Sequence, residues 1–152
     1  MTNRRGFIVC IGLLLTQCSS PPPPPPVVTL TITASAQQNP DTSGKPSPVA
    51  VRIFQLNATA KFERADVYAV IDREQQTLGS DNAGSQEFVL APSEVKTVTI
   101  EPKPGVSAIG VTAFYRDIDH AKWRADAPIA SSGPTKLAAE IGALAVTLKP
   151  AP

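Results

Sequence analysis

The chain has 152 residues, of which 42% are hydrophobic, 18% charged and 5% aromatic, which is enough for one domain around a single core. A formal net charge of +1 argues against a nucleic-acid footprint or a polyacidic tail. Two cysteines and one histidine argue against most metal sites and against a disulfide-rich scaffold, and six of the sixteen prolines form the run Pro21 to Pro26, which no helix or central strand can hold.

Arg4 and Arg5 precede an uncharged apolar run, Gly6 to Leu15. That length fits the ~7–15 residues of an export-signal core and falls short of the ~20 needed to span a bilayer. The run ends in Leu15-Thr16-Gln17-Cys18-Ser19-Ser20, which resembles a bacterial lipobox, with Gln17 where a small residue is usual. Residues 1–17 are therefore expected to be a lipoprotein signal peptide. Cys18 is expected to carry diacylglycerol and an N-acyl group such as palmitate, with no other cofactor. Each buried CH₂ of such chains contributes about 0.8 kcal/mol, and three chains anchor far better than one. Ser19 stands where Asp would favour retention at the inner membrane, which implies the periplasmic face of the outer membrane. Residues 18–26 read as a tether. Six prolines in polyproline II rise about 3.1 Å each, ~19 Å in all.

Residues 27–150 read as a β domain. Val28 to Ala34 alternates apolar residues with threonine, the pattern of a half-buried strand. Ser35 to Pro48 is rich in turn formers and is long for a strand connection. Val49 to Leu56 is strand-like, with Val49, Val51 and Ile53 on one face. The segment from Thr59 to Gln75 changes period and predicts a short helix or two, broken near Arg64 to Asp66, with Phe62, Ala65, Ala69 and Asp72 at helical offsets. Gly79 to Gly84 reads as a loop. Strand candidates follow at Gln86–Leu90, Val95–Glu101, Ala108–Arg116, Ala121–Ile129, Lys136–Ile141 and Ala143–Leu148; the fifth of these is alanine-rich and also compatible with a helical turn. About eight short strands in two sheets with a short helical insert define a mainly β sandwich.

The chemistry-bearing residues are few. Asp117-Ile118-Asp119-His120 contains the only histidine, but its spacing fits no metal pattern, and the simpler reading is a polar turn whose aspartates cap backbone N–H groups. Arg116, Lys122 and Arg124 flank it and are expected to pair with Asp117 and Asp119. The chain has no G-x-S-x-G, no GxGxxG and no GxxxxGK[ST], so no enzyme, metal site or small-molecule substrate is expected. Phe54, Phe62, Tyr68, Phe88, Phe114, Tyr115 and Trp123 are spread one or two per element, which suits a core better than a stacking platform for sugars or bases. The long loop stands out, since long loops in compact domains are often functional.

Several longer blocks carry a resemblance. Pro48-Val49-Ala50-Val51-Arg52-Ile53-Phe54-Gln55-Leu56, the Phe62…Ala65-Asp66-Val67-Tyr68-Ala69 segment, and Ile109 to Asp119 followed by Ala121-Lys122-Trp123-Arg124 are similar to the TssJ/VasD outer-membrane lipoproteins of the type VI secretion system. The resemblance implies a transthyretin-like β-sandwich and a non-enzymatic role. It implies binding to the C-terminal periplasmic domain of the inner-membrane protein TssM, within a TssJ-TssL-TssM complex that spans the envelope. It also implies that the partner-binding element is the loop Ala36-Gln37-Gln38-Asn39-Pro40-Asp41-Thr42-Ser43-Gly44-Lys45-Pro46-Ser47-Pro48. Within that loop Gln37, Gln38, Asn39, Asp41 and Lys45 are expected to be exposed contacts, and deletion of residues 37–47 is expected to leave the fold intact. The alternative is a periplasmic carbohydrate- or peptidoglycan-binding sandwich, which would need an aromatic or Asp-rich patch.

Overall fold

The computed structural model describes residues 20–152, so the signal-peptide and Cys18 readings lie outside the described residues. The described chain forms eight strands, β1 Val27–Ala34, β2 Val49–Leu56, β3 Asn82–Leu90, β4 Val95–Ile100, β5 Ala108–Ala113, β6 Arg124–Pro128, β7 Pro134–Ile141 and β8 Val146–Pro150. They make two four-stranded sheets, ordered β4-β1-β7-β8 and β3-β2-β5-β6. All neighbours are antiparallel except β1 and β7, which run parallel.

The sandwich follows from the alternation read in the sequence. Val28, Leu30 and Ile32 of β1 point inward and meet Val49, Val51 and Ile53 of β2, with Ile109 and Val111 of β5 and Leu137 and Ile141 of β7 completing the core. The outward threonines of β1 pair with those of β4, Thr29 with Thr99 and Thr31 with Thr97, as expected on a half-solvated face. The alanine-rich segment from Lys136 is a strand and not a helical turn, because its register against β1 buries Leu137, Ala139 and Ile141.

Several expected boundaries shift, and the strand expected from Ala121 begins only at Arg124. The strand from Ala108 stops at Ala113, and residues 114–123 leave the sheet as a connection containing a single helical turn, Ile118–His120. The segment from Ala143 joins the sheet only at Val146, so Leu144 lies in the turn after β7. The stretch read as the Gly79–Gly84 loop is a short 3₁₀ turn, Gly79–Asp81, followed directly by β3.

The helical insert after β2 consists of α1 Ala60–Arg64, α2 Val67–Asp72 and α3 Glu74–Leu78. Its break is where the sequence suggested. Ala65 and Asp66 are extended, and the Asp66 carboxylate caps α2 by accepting from Tyr68 and Ala69 N–H. That break resets the helical phase, so the buried face is Phe62, Val67, Val70 and Leu78, while Asp72 is exposed. Phe62 packs on Phe54 with ring centroids 5.2 Å apart and forms a second core with Leu56, Val70 and Leu78 on the outer face of the β2–β5 sheet. Gly110 makes that approach possible, because a Cβ there would lie 2.8 Å from Phe62 Cζ. Arg124 reaches from β6 to donate to the carbonyls of Phe62 and Ala65, closing the end of α1.

Candidate functional site

The chain direction sorts the connections into two poles. β1 begins at the proline run and ends at the long loop, so these lie at opposite ends of a strand of eight residues, about 26 Å apart. The loop pole also gathers the turn after β3, the connection from Phe114 to Trp123 and the turn after β7. Ser93 N–H donates to Ser35 carbonyl, Asn39 N–H to Ala143 carbonyl, and Arg116 N–H to the Asn39 side chain.

The loop is braced across its width. Ser47 N–H donates to Gln38 carbonyl and Asp41 N–H to Lys45 carbonyl, so its two arms run side by side. At the tip, Asp41 Oδ1 accepts from Ser43 N–H at 2.9 Å, Ser43 Oγ at 2.6 Å and Lys45 N–H at 2.9 Å. The Ser43 hydroxyl, then the Lys45 N–H, hold the Asp41 carboxyl below its ordinary range, with the Arg116 charge adding a smaller pull in the same direction. Gly44 takes φ +81°, which turns the tip back. Ala36, Gln37, Thr42, Ser43, Gly44, Lys45 and Pro48 are exposed, and Pro40, Asp41, Pro46 and Ser47 are half-buried.

Two of the expected exposed contacts are internal. Gln38 is fully buried and Asn39 is 3% exposed. Gln38 Nε2 donates to Leu90 carbonyl at 2.7 Å, and Asn39 Nδ2 donates to Pro48 carbonyl at 2.7 Å while its Oδ1 accepts from Arg116 N–H at 2.8 Å. The reason is polar satisfaction. Strand ends leave carbonyls and N–H groups without ladder partners, and side-chain amides supply what the sheets do not. Asn39 also holds φ +45°, a left-handed conformation that asparagine tolerates. Gln38 and Asn39 are thus internal rather than exposed, and a deletion of residues 37–47 would also remove these bonds that brace the pole.

The structure adds neighbours that spacing alone did not reveal. Arg116, Asp117 and Leu144 stand against Pro40, Asp41 and Thr42 and line a cleft of about 420 Å³ between the loop and the other pole connections. Arg116 donates from Nε to Ser47 Oγ at 3.2 Å, and it is exposed. The only signal in the sequence was its place beside the Asp117–His120 turn. The expected ion pairs across that turn are replaced by other bonds. Asp117 Oδ1 pairs with His120 Nδ1 at 2.7 Å rather than capping backbone, Arg116 is drawn to the loop, and Arg124 to the helix carbonyls. The Asp117 hydrogen bond and charge push the His120 imidazole above its ordinary value. Among the described residues no group of three or more His, Cys, Asp or Glu side chains is placed to hold a metal.

Of the aromatics, Phe54, Phe62 and Tyr115 are buried, and Phe88 and Trp123 pack partly against the cores. Tyr68, 52% exposed, projects from α2. No described helix is long and apolar enough to cross a membrane.

The geometry is that of a two-sheet β-sandwich with a braced polar loop at one end and an N-terminal proline arm at the other. The chain belongs to the type VI secretion lipoprotein family (VasD, EvfM, TssJ), whose model matches residues 26–144. It is similar to the type VI secretion lipoprotein TssJ1 from Pseudomonas aeruginosa, with 31% identity over 85% of this chain and 98% of that one and a TM-score of 0.81. A chain in a structure described as a type VI membrane complex is 25% identical over 82% of this chain and 98% of that one, with a TM-score of 0.71. The fold recurs, at 24% identity over 82% and 98% and a TM-score of 0.64, in a structure described as the TssM C-terminal domain (869–1107) from EAEC. No curated protein matches the sequence.

Proposed function

We propose that this protein is held on the periplasmic face of the outer membrane by acyl chains on Cys18 and binds the C-terminal periplasmic domain of TssM through its loop pole. In this reading it is an anchor and adaptor without catalytic activity, and it ties the type VI secretion membrane complex, with TssL and TssM, to the outer membrane. The observation that carries the reading is the braced loop of residues 36–48, whose tip stands free at the pole opposite the proline arm. A loop ordered before binding loses little entropy when a partner docks, which favours its use as a contact. Family membership supports the setting, and the likeness to a chain of a type VI membrane complex supports the kind of assembly.

The contact surface proposed is the exposed tip, Thr42, Ser43, Gly44 and Lys45, together with the cleft beside it that Arg116 and Leu144 line. None of the residues lining that cleft is aromatic, so it offers no stacking platform for the carbohydrate alternative.

The test is titration calorimetry of residues 20–152 with the periplasmic region of TssM from the same genome. The comparison is a tip variant, Thr42→Gly with Lys45→Gly, that leaves Gln38, Asn39 and Asp41 in place. Binding by the wild type, weakened about tenfold or more in the variant, a loss of ~1.4 kcal/mol, is the expected result. Equal affinities would move the interface to another face, and no binding by either would overturn the partner assignment.

A further inference from the structure

The proline run is not a uniform spacer. Its first residues are exposed, but Pro24 carbonyl accepts a hydrogen bond from Gly133 N–H at 3.1 Å, and Val27 N–H donates to Gly133 carbonyl at 3.0 Å. Gly133 thus grips both backbone groups that flank Pro25 and Pro26. Those two prolines have no N–H of their own, so the donor on this side of the grip is the Val27 N–H, while the Pro24 carbonyl serves as the acceptor. The grip continues the parallel β1–β7 ladder, which begins with Val27 opposite Pro134. Gly133 sits at φ +72°, where a residue with a Cβ is strained. Pro26 is half-buried, and Pro25 and Pro26 form one wall of a cleft of about 600 Å³ whose other walls include Pro102, Pro104, Val106 and Ile129.

We infer that Pro24–Pro26 belong to the folded body and fix its orientation on the membrane, holding the pole that contains residues 102–107 and 129–133 toward the lipid surface and the loop pole away from it. This rests on the reading of Cys18 as the point of attachment. Six residues, 18–23, then separate the attachment point from the grip, a contour of at most about 20 Å. A body joined to the bilayer by so short a link, and gripped where the link enters, is restricted from inverting its loop pole onto the lipid while the Gly133 bonds hold. The loop is thereby presented up to about 26 Å, the length of β1, farther from the bilayer than the point of entry. A flexible tether of equal length would let the body tumble and would spend part of the binding free energy on orienting it.

The experiment places ¹⁵N-labelled protein on phosphatidylethanolamine–phosphatidylglycerol nanodiscs in which some headgroups carry chelated gadolinium, and reads loss of amide signal residue by residue. The acylated protein purified from membranes is compared with residues 18–152 joined through the Cys18 thiol to a maleimide lipid. If acylation fails, the first preparation does not bind the discs while the second still tests orientation. The expected result is signal loss at residues 105–107 and 131–133 with residues 42–45 retained, and a collapse of that contrast in the variant Pro24→Gly, Pro25→Ser, Pro26→Gly. Gly133→Ala, which loosens the grip from the other side, should reduce the contrast part of the way. Equal signal loss at both poles in the wild type would overturn the inference, as would full retention of the contrast in the triple variant.

Discussion

Asn39 is where the loop's rigidity can be measured. Replacing it with alanine removes two hydrogen bonds, the Nδ2 donation to Pro48 carbonyl at 2.7 Å and the acceptance from Arg116 N–H at 2.8 Å. Each deletion leaves a part-buried partner unsatisfied, and about 1 kcal/mol apiece is the expected loss. Alanine must also adopt φ +45°, which costs roughly 1 kcal/mol more than glycine does at the same place. Asn39→Ala should therefore destabilise residues 20–152 by about 3 kcal/mol and Asn39→Gly by about 2. Urea denaturation followed by tryptophan fluorescence measures both, since Trp123 packs against each core. For a domain of this size the alanine variant should also melt roughly 10 °C lower. Two results would refute the reasoning. A loss under ~0.5 kcal/mol for alanine would mean that the brace is not made, and a glycine variant less stable than the alanine variant would mean that the left-handed conformation is not held.

Three further outcomes follow from the packing and the charges. Gly110→Ala should cost about 2 kcal/mol, because the new Cβ meets Phe62 Cζ at 2.8 Å and Leu56 Cδ1 at 3.1 Å; pairing it with Phe62→Leu should recover part of the loss in the same denaturation assay. Arg124→Met keeps the stem but leaves the carbonyls of Phe62 and Ala65 without their donor, so a loss of roughly 1–3 kcal/mol and faster amide exchange in α1 are expected. His120, the only histidine, should titrate above 6.5 by NMR, and Asp117→Asn should bring it back down. Because the folded value is raised, the pair's contribution to stability is fully present below pH 6.5 and is lost as pH rises through the folded pKa. An unchanged midpoint in the Asp117 variant would show that the Nδ1–Oδ1 contact is absent in solution.

The strands and their faces were legible because alternation is local. Val28 to Ala34 and Val49 to Leu56 carry period-two patterns that any buried sheet would select, and the order of apolar, turn-forming and helical segments already limited the architecture to a sandwich with one insert. The helix break near Arg64 to Asp66 was legible in outline, while its cause, the Asp66 carboxylate accepting from Tyr68 and Ala69 N–H, came from the structure. The phase of the helices was not legible, because the break itself reset which residues face inward. The family assignment came from sequence too, in long specific blocks, and it agrees with the family to which the chain belongs.

The roles inside the loop were decided by tertiary structure alone. Gln38 and Asn39 look like ordinary exposed polar residues in a turn-rich segment, and no local periodicity distinguishes them from Gln37. They are buried because the Leu90 carbonyl at the end of β3, the Pro48 carbonyl on the loop's returning arm and the N–H of Arg116 need partners where the sheets stop. The proline run divides on the same principle. Six identical residues are equivalent in sequence, and only a glycine more than a hundred positions later separates those that are gripped from those that are free. Local pattern determines what each segment can form, and the unpaired groups left over after the sheets assemble determine which side chains are spent holding the structure and which remain for a partner.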